Sequence, residues 1–504
     1  MRALLRVPRR SLVDVASCLL PVWLSLIVTH TAADADLWGH IRFGADSIAG
    51  RTLAAVDHYS FTADTPWINH EWLSEVLLAG IYGASGAIGL NLLKLSVLGA
   101  IVLMTWRAGR LAGGSRFSLV ALCSLVVFAS YSRTQVLRPQ LFSVLFFTVL
   151  LTLLAIRERG GWNDRKTKAA SVAIPVLFCI WANAHGGWLV GMATLAVWVG
   201  WDFIERRTLR SFAEGTALTA ASLAATLVNP YGLGQWTFLH QTVGLSRDVS
   251  DWVPFLELQP GMIAFELILP LVALVALLVT RQWPRPRDVV VIAVLAFGTF
   301  RVSRIDAFLQ IATGLLLAPA IVDGFGRLER RLRMSPRLNT PSFAHGFAIV
   351  VIVMATAAVA LPRLNRIYIE GPWTPDPEAV RFLQAQAPNA RLLTWFDWGE
   401  YAIWHLSPAG IRVSMDGRRE TVYSDRVLDG HWAFYKNDPD AGTYPDAIGA
   451  DRIWLPRRLP VVSVLRERGW QVAFESDVSI VLSRDSGQPY LPAPAEFQPY
   501  FPGP

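Results

Sequence analysis

Residues 34–75 read DADLWGHIRFGADSIAGRTLAAVDHYSFTADTPWINHEWLSE, and this stretch decides how the rest of the chain is read. It holds Asp34, Asp36, His40, Arg42, Asp46, Asp57, His58, Asp64, His70, Glu71 and Glu75, interleaved with Trp38, Tyr59, Phe61, Trp67 and Trp72. It is a long polar interruption near the front of a chain of 504 residues that is 53% hydrophobic and only 17% charged. A plain linker between membrane helices needs neither paired acids nor aromatics. The stretch therefore reads as half of an active site at a membrane surface, held there by the apolar remainder.

Working outward, the apolar runs are about 17–22 residues long, the length that spans a bilayer. The chain is thus expected to be a polytopic α-helical membrane protein. Its net charge of +7 is not a nucleic-acid signal, because the basic residues sit in short clusters between apolar runs. Cys18, Cys123 and Cys179 lie inside apolar runs without disulfide or zinc spacing, and read as small core residues. Arg2, Arg6, Arg9 and Arg10 precede the first run. Ala33-Asp34-Ala35 is a weak cleavage site, but cleavage would remove Asp34 and untether the loop. A retained first helix, basic end inside, is the reading taken.

Within the front loop, Leu37–Ile48 and His70–Tyr82 are amphipathic or short apolar pieces. The second is placed flat on the outer surface, because only then does the Arg107/Arg110/Arg116 cluster fall inside. Further spans follow near 90–107, 116–132, 139–156, 169–184, 187–204, 211–229, 261–280, 288–302, 305–322 and 343–362. With the first helix they make about 11 transmembrane helices, with the amino end cytoplasmic. The inner turns are all basic, as at Arg157, Arg159, Arg165, Lys166 and Lys168, or Arg327, Arg330, Arg331, Arg333 and Arg337. The outer turns include RTQVLRPQ (133–140), NAHGGW (183–188), NPYG (229–232) and FRVSRID (300–306), and every histidine except His345 falls on that side.

After residue 364 the composition becomes that of a soluble domain. PDPEAVRFLQAQ (375–386) has helical spacing, and ARLLTWF (390–396), IRVSMDG (411–417), DRIWLP (451–456) and the pair within 470–484 read as strands. The expected organisation is a transmembrane domain over 1–363, containing the first outer loop 32–89, then an extracytoplasmic α/β domain over 364–484. A Pro-rich tail, 485–504, is expected to be irregular.

Three groups of residues could carry chemistry. Asp34 and Asp36, in alternate positions where the first helix ends, could share a divalent cation (Mg or Mn), or one could act as a base. Arg42, Arg133, Arg138, Arg301 and Arg304 sit on the outer side, where the charge rule disfavours them, and guanidinium forks suit a phosphate at the interface. Trp38, His40, His58, His70 and Glu71 are candidate substrate contacts within the loop. His70-Glu71-Trp72-Leu73-Ser74 lacks the second histidine of a zinc protease, and the chain has no G-x-S-x-G, P-loop or dinucleotide fingerprint. Asn183, His185 and the NPYG turn read as helix caps and stops, with lining of the outer cavity the alternative. Asp397-Trp398-Gly399-Glu400 and Asp416-Gly417-Arg418 read as turn chemistry at strand ends, with acceptor binding the alternative.

This order of parts resembles the GT-C superfamily of membrane glycosyltransferases, whose plan is shared by oligosaccharyltransferases, protein O-mannosyltransferases and lipid A aminoarabinose transferases. The match rests on the acidic pair in a long first outer loop, the interfacial helices after it, the many spans and the outer carboxyl-terminal domain. The strings DADLWGHIRFG, FTADTPWINHEWLSE, VLRPQLFS, NAHGGW, NPYG and FDWGEYAIW look like a bacterial branch of such proteins. Phe396-Asp397-Trp398-Gly399 only echoes the oligosaccharyltransferase W-W-D-x-G signature, which argues against asparagine glycosylation.

The resemblance implies a polyprenyl-phosphate-linked sugar donor and a glycan, lipid or protein acceptor on the outer face of the bacterial inner membrane. It implies Asp34 or Asp36 as base or metal ligand. Arg301 and Arg304, then Arg138 and Arg42, would contact the donor phosphate. A flippase or other transporter for lipid-linked saccharide, or a non-catalytic binding subunit, is the alternative. Polar residues gathered at the outer end, without an internal repeat, favour the enzyme.

Overall fold

A computed structural model describes residues 12–50, 57–160, 164–243, 253–334, 342–369, 375–485 and 499–503. The basic amino end and most of the Pro-rich tail lie outside the described residues. The chain divides into two compact units. The first is Met1–Thr31, Leu90–Asn229 and Leu245–Asn365; the second is Ala32–Gly89, Pro230–Gly244 and Arg366–Pro504. The front loop thus belongs with the residues after 366, rather than with the apolar part.

The first unit is helical. Its described helices include Leu12–Val28, Arg116–Ala129, Gln140–Arg159, Arg165–Ala184, Trp188–Arg206, Leu209–Thr226, Pro286–Arg301 and Ser342–Arg363. Starts are set by local chemistry: the side chains of Ser115, Asp164 and Thr208 each accept a hydrogen bond from the backbone N–H three residues on. Large apolar side chains such as Leu103, Val172, Leu271 and Phe297 stay exposed, which suits a lipid-facing surface. Among the described residues, four helices are long and apolar enough to cross a membrane, or up to six if each bent pair is one span.

Two expected spans are broken. The 261–280 run splits into Pro260–Glu266 and Ile268–Thr280, bent by 42°. Pro270 has no N–H to offer the Glu266 carbonyl four residues earlier, and the Gln310 side chain donates to that oxygen instead, at 2.7 Å. The 305–322 run bends by 66° between Ser303–Leu316 and Ala318–Leu332. Pro319, in the first turn of the second piece, cannot continue the hydrogen-bond ladder of the first. A third break falls within Trp72–Leu111, where Gly86 has φ 58° and ψ −147°, a conformation open to glycine. The break separates the short apolar piece from the 90–107 run.

In the second unit, β1 (Ala32–Ala33) pairs in parallel with β2 (Tyr368–Ile369). The main sheet is built from β3 (Arg391–Thr394), β4 (Arg412–Val413), β5 (Arg452–Pro456), β6 (Gln471–Glu475) and β7 (Ser479–Ser483), in the order β4-β3-β5-β7-β6. β3 is parallel to β4 and β5, and β7 is antiparallel to β5 and β6. The free edge of β4 is covered by the front loop: Val413 donates to Tyr59 O at 2.9 Å, and Phe61 donates to Val413 O at 3.1 Å. Phe501 is buried, and its N–H donates to Ile367 O at 2.8 Å.

Candidate active site

The second unit holds an acid cluster built around three glycines. Asp36 caps the Leu37–Ile48 helix, but its side chain makes no cap hydrogen bond. Its carboxylate turns toward Gly417, where an added Cβ would lie 2.4 Å from Asp36 Oδ1 and 2.8 Å from Glu400 Oε1. On the other side, a Cβ on Gly39 would meet Glu400 Oε2 at 2.1 Å. Gly399 lets the chain carrying Glu400 approach Met415 O and Asp416, where a Cβ would meet backbone at 2.4 Å. The glycines of DADLWGH and SMDG thus clear space around the Glu400 carboxyl, and that of FDWGE lets its backbone pack on Met415 and Asp416.

The electrostatics separate the acids. Burial pushes Glu400 well above the usual carboxylate range, and the charges of Asp36 and Asp416 add to it against the pull of Arg418. Asp416 is held below that range: burial opposes its charge, but Arg418 and Tyr423 outweigh it. Arg418 forks onto Asp416 at 2.8 and 2.7 Å and reaches Asp57 at 2.6 Å. It lies over the rings of Phe43, Tyr59 and Trp67, and the Tyr423 hydroxyl donates to Asp416 at 2.7 Å. Asp416-Gly417-Arg418 is thus a buried ion-pair joint between loop and sheet rather than an acceptor-binding turn.

One turn along the Leu37–Ile48 helix, His40 Nδ1 lies 3.2 Å from Glu75 Oε1, whose other oxygen accepts from Asn69 at 2.6 Å. Burial lowers the His40 pKa, yet the bond to Glu75 and the charges of Glu71, Glu75 and Asp36 leave it raised overall. His70 pairs with Glu71 at 3.5 Å and lies against Phe238. His58 is exposed.

Several expected site residues are placed otherwise. Trp38 is fully buried; its indole N–H donates to Pro502 O at 2.7 Å, and it packs on Tyr401 and Phe501. It is core and presents no face to a substrate. Arg42 is ion-paired with Asp46 at 2.9 Å, and Asp46 also accepts from the Tyr59 hydroxyl. Asp34 follows β1, and its backbone carbonyl starts the turn into Leu37. No group of three or more His, Cys, Asp or Glu placed to hold a metal occurs among the described residues. Glu400 favours its proton, and Asp416 is engaged by Arg418 and Tyr423.

In the first unit, the arginines separate. Arg133 is buried and donates to Asp306 at 3.1 Å, with Glu266 at 4.0 Å. Arg301 is exposed at its helix end, and Arg138 precedes the Gln140–Arg159 helix. Arg304 joins a polar group: its Nε donates to Gln140 Oε1 at 3.2 Å, and its terminal nitrogen lies 3.4 Å from His185 Nε2. Glu400 and His185 were raised in the sequence only as alternatives to turn and cap readings. The available signal was a glycine beside each, in WGE and HGG, and it reads equally well as turn chemistry.

The fold is shared with solved structures of an archaeal oligosaccharyltransferase and of ArnT. Archaeal oligosaccharyltransferase AglB from Archaeoglobus fulgidus, in complex with an inhibitory peptide and a dolichol-phosphate, superposes with TM-score 0.58 at 10% identity, over 88% of this chain and 70% of that one. ArnT from Cupriavidus metallidurans bound to undecaprenyl phosphate matches with TM-score 0.52 at 13% identity, over 95% of this chain and 98% of that one. No protein-family profile and no curated protein sequence matches the chain.

Proposed function

We propose that the protein transfers a sugar from a polyprenyl-phosphate-linked donor to an acceptor hydroxyl at the outer face of the bacterial inner membrane. The observation that carries this reading is the pairing of Asp36 with a buried acid, Glu400, over Gly417. A carboxylate beside a carboxyl group that favours its proton is an acid–base arrangement whose members are separated by environment. The fold, shared with proteins bound to dolichol-phosphate and undecaprenyl phosphate, supports the lipid-phosphate donor.

In this reading Asp36 takes the proton of the acceptor hydroxyl as its oxygen bonds to the sugar C1. The bond from C1 to the phosphate oxygen breaks, and the lipid phosphate leaves with that electron pair. Glu400, which favours its proton, stands beside Asp36 and adds no charge there. The chain crosses the membrane about 11 times in this reading, with residues 364–484 and the loop 32–89 extracytoplasmic.

Asp36→Asn tests the assignment. It keeps the side-chain shape, so folded yield and thermal midpoint stay near wild type. Transfer from a polyprenyl-phosphate sugar falls by about two orders of magnitude or more. Near-normal turnover would point to binding or transport of lipid-linked saccharide instead.

A further inference from the structure

The Gln140–Arg159 and Arg165–Ala184 helices pack against each other, and both are long and apolar enough to cross a membrane. Between them lies a groove of about 750 Å³, within the range of small-molecule sites. Leu153 of the first helix forms part of one wall, and a single stripe of the second helix forms the other. Lys168, Ala169, Val176 and Ile180 stand 3, 4, 11 and 15 residues after Arg165, the offsets of one helix face.

The stripe is charged at one end only. Arg165 and Lys168 are exposed there, and Val176 and Ile180 beyond them are exposed apolar side chains, as suits a surface against lipid. At 1.5 Å per residue, Ile180 lies about 22 Å along the helix from Arg165. That is half of a bilayer with its headgroups, about 40–45 Å in all, so the groove runs from headgroup level to the midplane.

The two cations are poorly placed for the protein alone. They stand three residues apart on one face, where like charges repel, in the first turn of a helix whose dipole is positive at that end. Neither is ion-paired among the described residues, and the acceptors nearby are engaged. Asp164 caps the helix, taking the Thr167 N–H at 3.1 Å and its hydroxyl at 3.3 Å. Glu158 pairs with Arg285 and Arg287, and Ser171 accepts from Arg157 at 2.9 Å.

We propose that the groove seats one anionic phospholipid, with its phosphate on Arg165 and Lys168 and an acyl chain along Ala169, Val176 and Ile180. An anion there offsets both the like-charge repulsion and the positive helix end. The guanidinium fork suits phosphate oxygens, and the ammonium adds a point charge. A zwitterionic lipid brings a cation of its own and fits less well. With the basic turn cytoplasmic, the lipid is one of the inner leaflet. The seat is independent of sugar transfer and is tested by binding alone.

Full-length protein in neutral detergent is titrated with phosphatidylglycerol, phosphatidylcholine, glycerol phosphate and undecaprenyl phosphate, and bound molecules are counted by native mass spectrometry. The Arg165→Gln/Lys168→Gln double variant weakens phosphatidylglycerol binding about tenfold or more and leaves phosphatidylcholine unchanged. Lys166→Gln removes a charge from the same turn but outside the groove, and stays within about twofold. Ala169→Phe fills the groove without touching the charges and weakens phosphatidylglycerol as the double variant does. If it does not fold, Val176→Trp, at an exposed position, decides in its place. An equal loss in Lys166→Gln would show diffuse surface charge and overturn the seat, as would full binding in the groove-filling variant. Glycerol phosphate binding as tightly as the lipid would reduce it to a free-anion site. Displacement of phosphatidylglycerol by equimolar undecaprenyl phosphate would give the groove to that lipid instead.

Discussion

Gly417→Ala offers a test of the acid cluster that touches neither acid. The added Cβ would meet Asp36 Oδ1 at 2.4 Å and Glu400 Oε1 at 2.8 Å, against ordinary contact from 3.4 Å upward. Asp36 must therefore yield by about 1 Å and Glu400 by somewhat less; misplacement on that scale costs about 100-fold in rate. The cost in stability is small, because the atoms met are the ends of side chains rather than backbone, and stays near 1 kcal/mol as for a typical substitution. The assay is sugar transfer from a polyprenyl-phosphate donor, with the thermal midpoint measured in parallel. Gly399→Ala is the contrast, since its Cβ would meet Met415 O and Asp416 Cα and should prevent folding. Full activity in folded Gly417→Ala would refute the reasoning, because Asp36 cannot both move and remain the base.

Arg418→Met should cost about 3–5 kcal/mol, because it leaves Asp416 and Asp57 charged and buried without their partner; chemical denaturation of the second unit's signal measures it, and a change below about 1 kcal/mol would show the pair to be solvated. Glu400→Gln should change the pH dependence of stability. The folded pKa of Glu400 is raised, so above its ordinary 4.5 the unfolded chain loses the proton first and wild-type stability falls as pH rises. The glutamine variant lacks that fall, and its advantage should grow from pH 5 toward 8; parallel melting profiles would mean that Glu400 ionises normally.

The apolar runs fall on helices, though two of the expected spans are broken, and the strings read as strands contain strands, with β4 only Arg412–Val413 of its string. ARLLTWF contains β3, and DRIWLP contains β5. Pro270 and Pro319 were visible in the sequence, but their effect, broken helices, depends on what replaces the missing donor, such as Gln310. The acidic pair at Asp34 and Asp36 stood out by composition, and Asp36 is brought against another acid, Glu400, in the structure. Trp38 and Arg42 looked like site residues for the same compositional reason and proved to be core and ion pair. Nothing local distinguishes an aromatic that stacks on substrate from one that stacks on Tyr401. Glu400 lies 364 residues from Asp36 along the chain, and its chemistry comes from burial and neighbouring charges supplied by other segments. Local sequence determines which backbone can form; where an acid keeps its proton is decided by tertiary neighbours, because the field at a carboxyl sums over groups that only folding brings near.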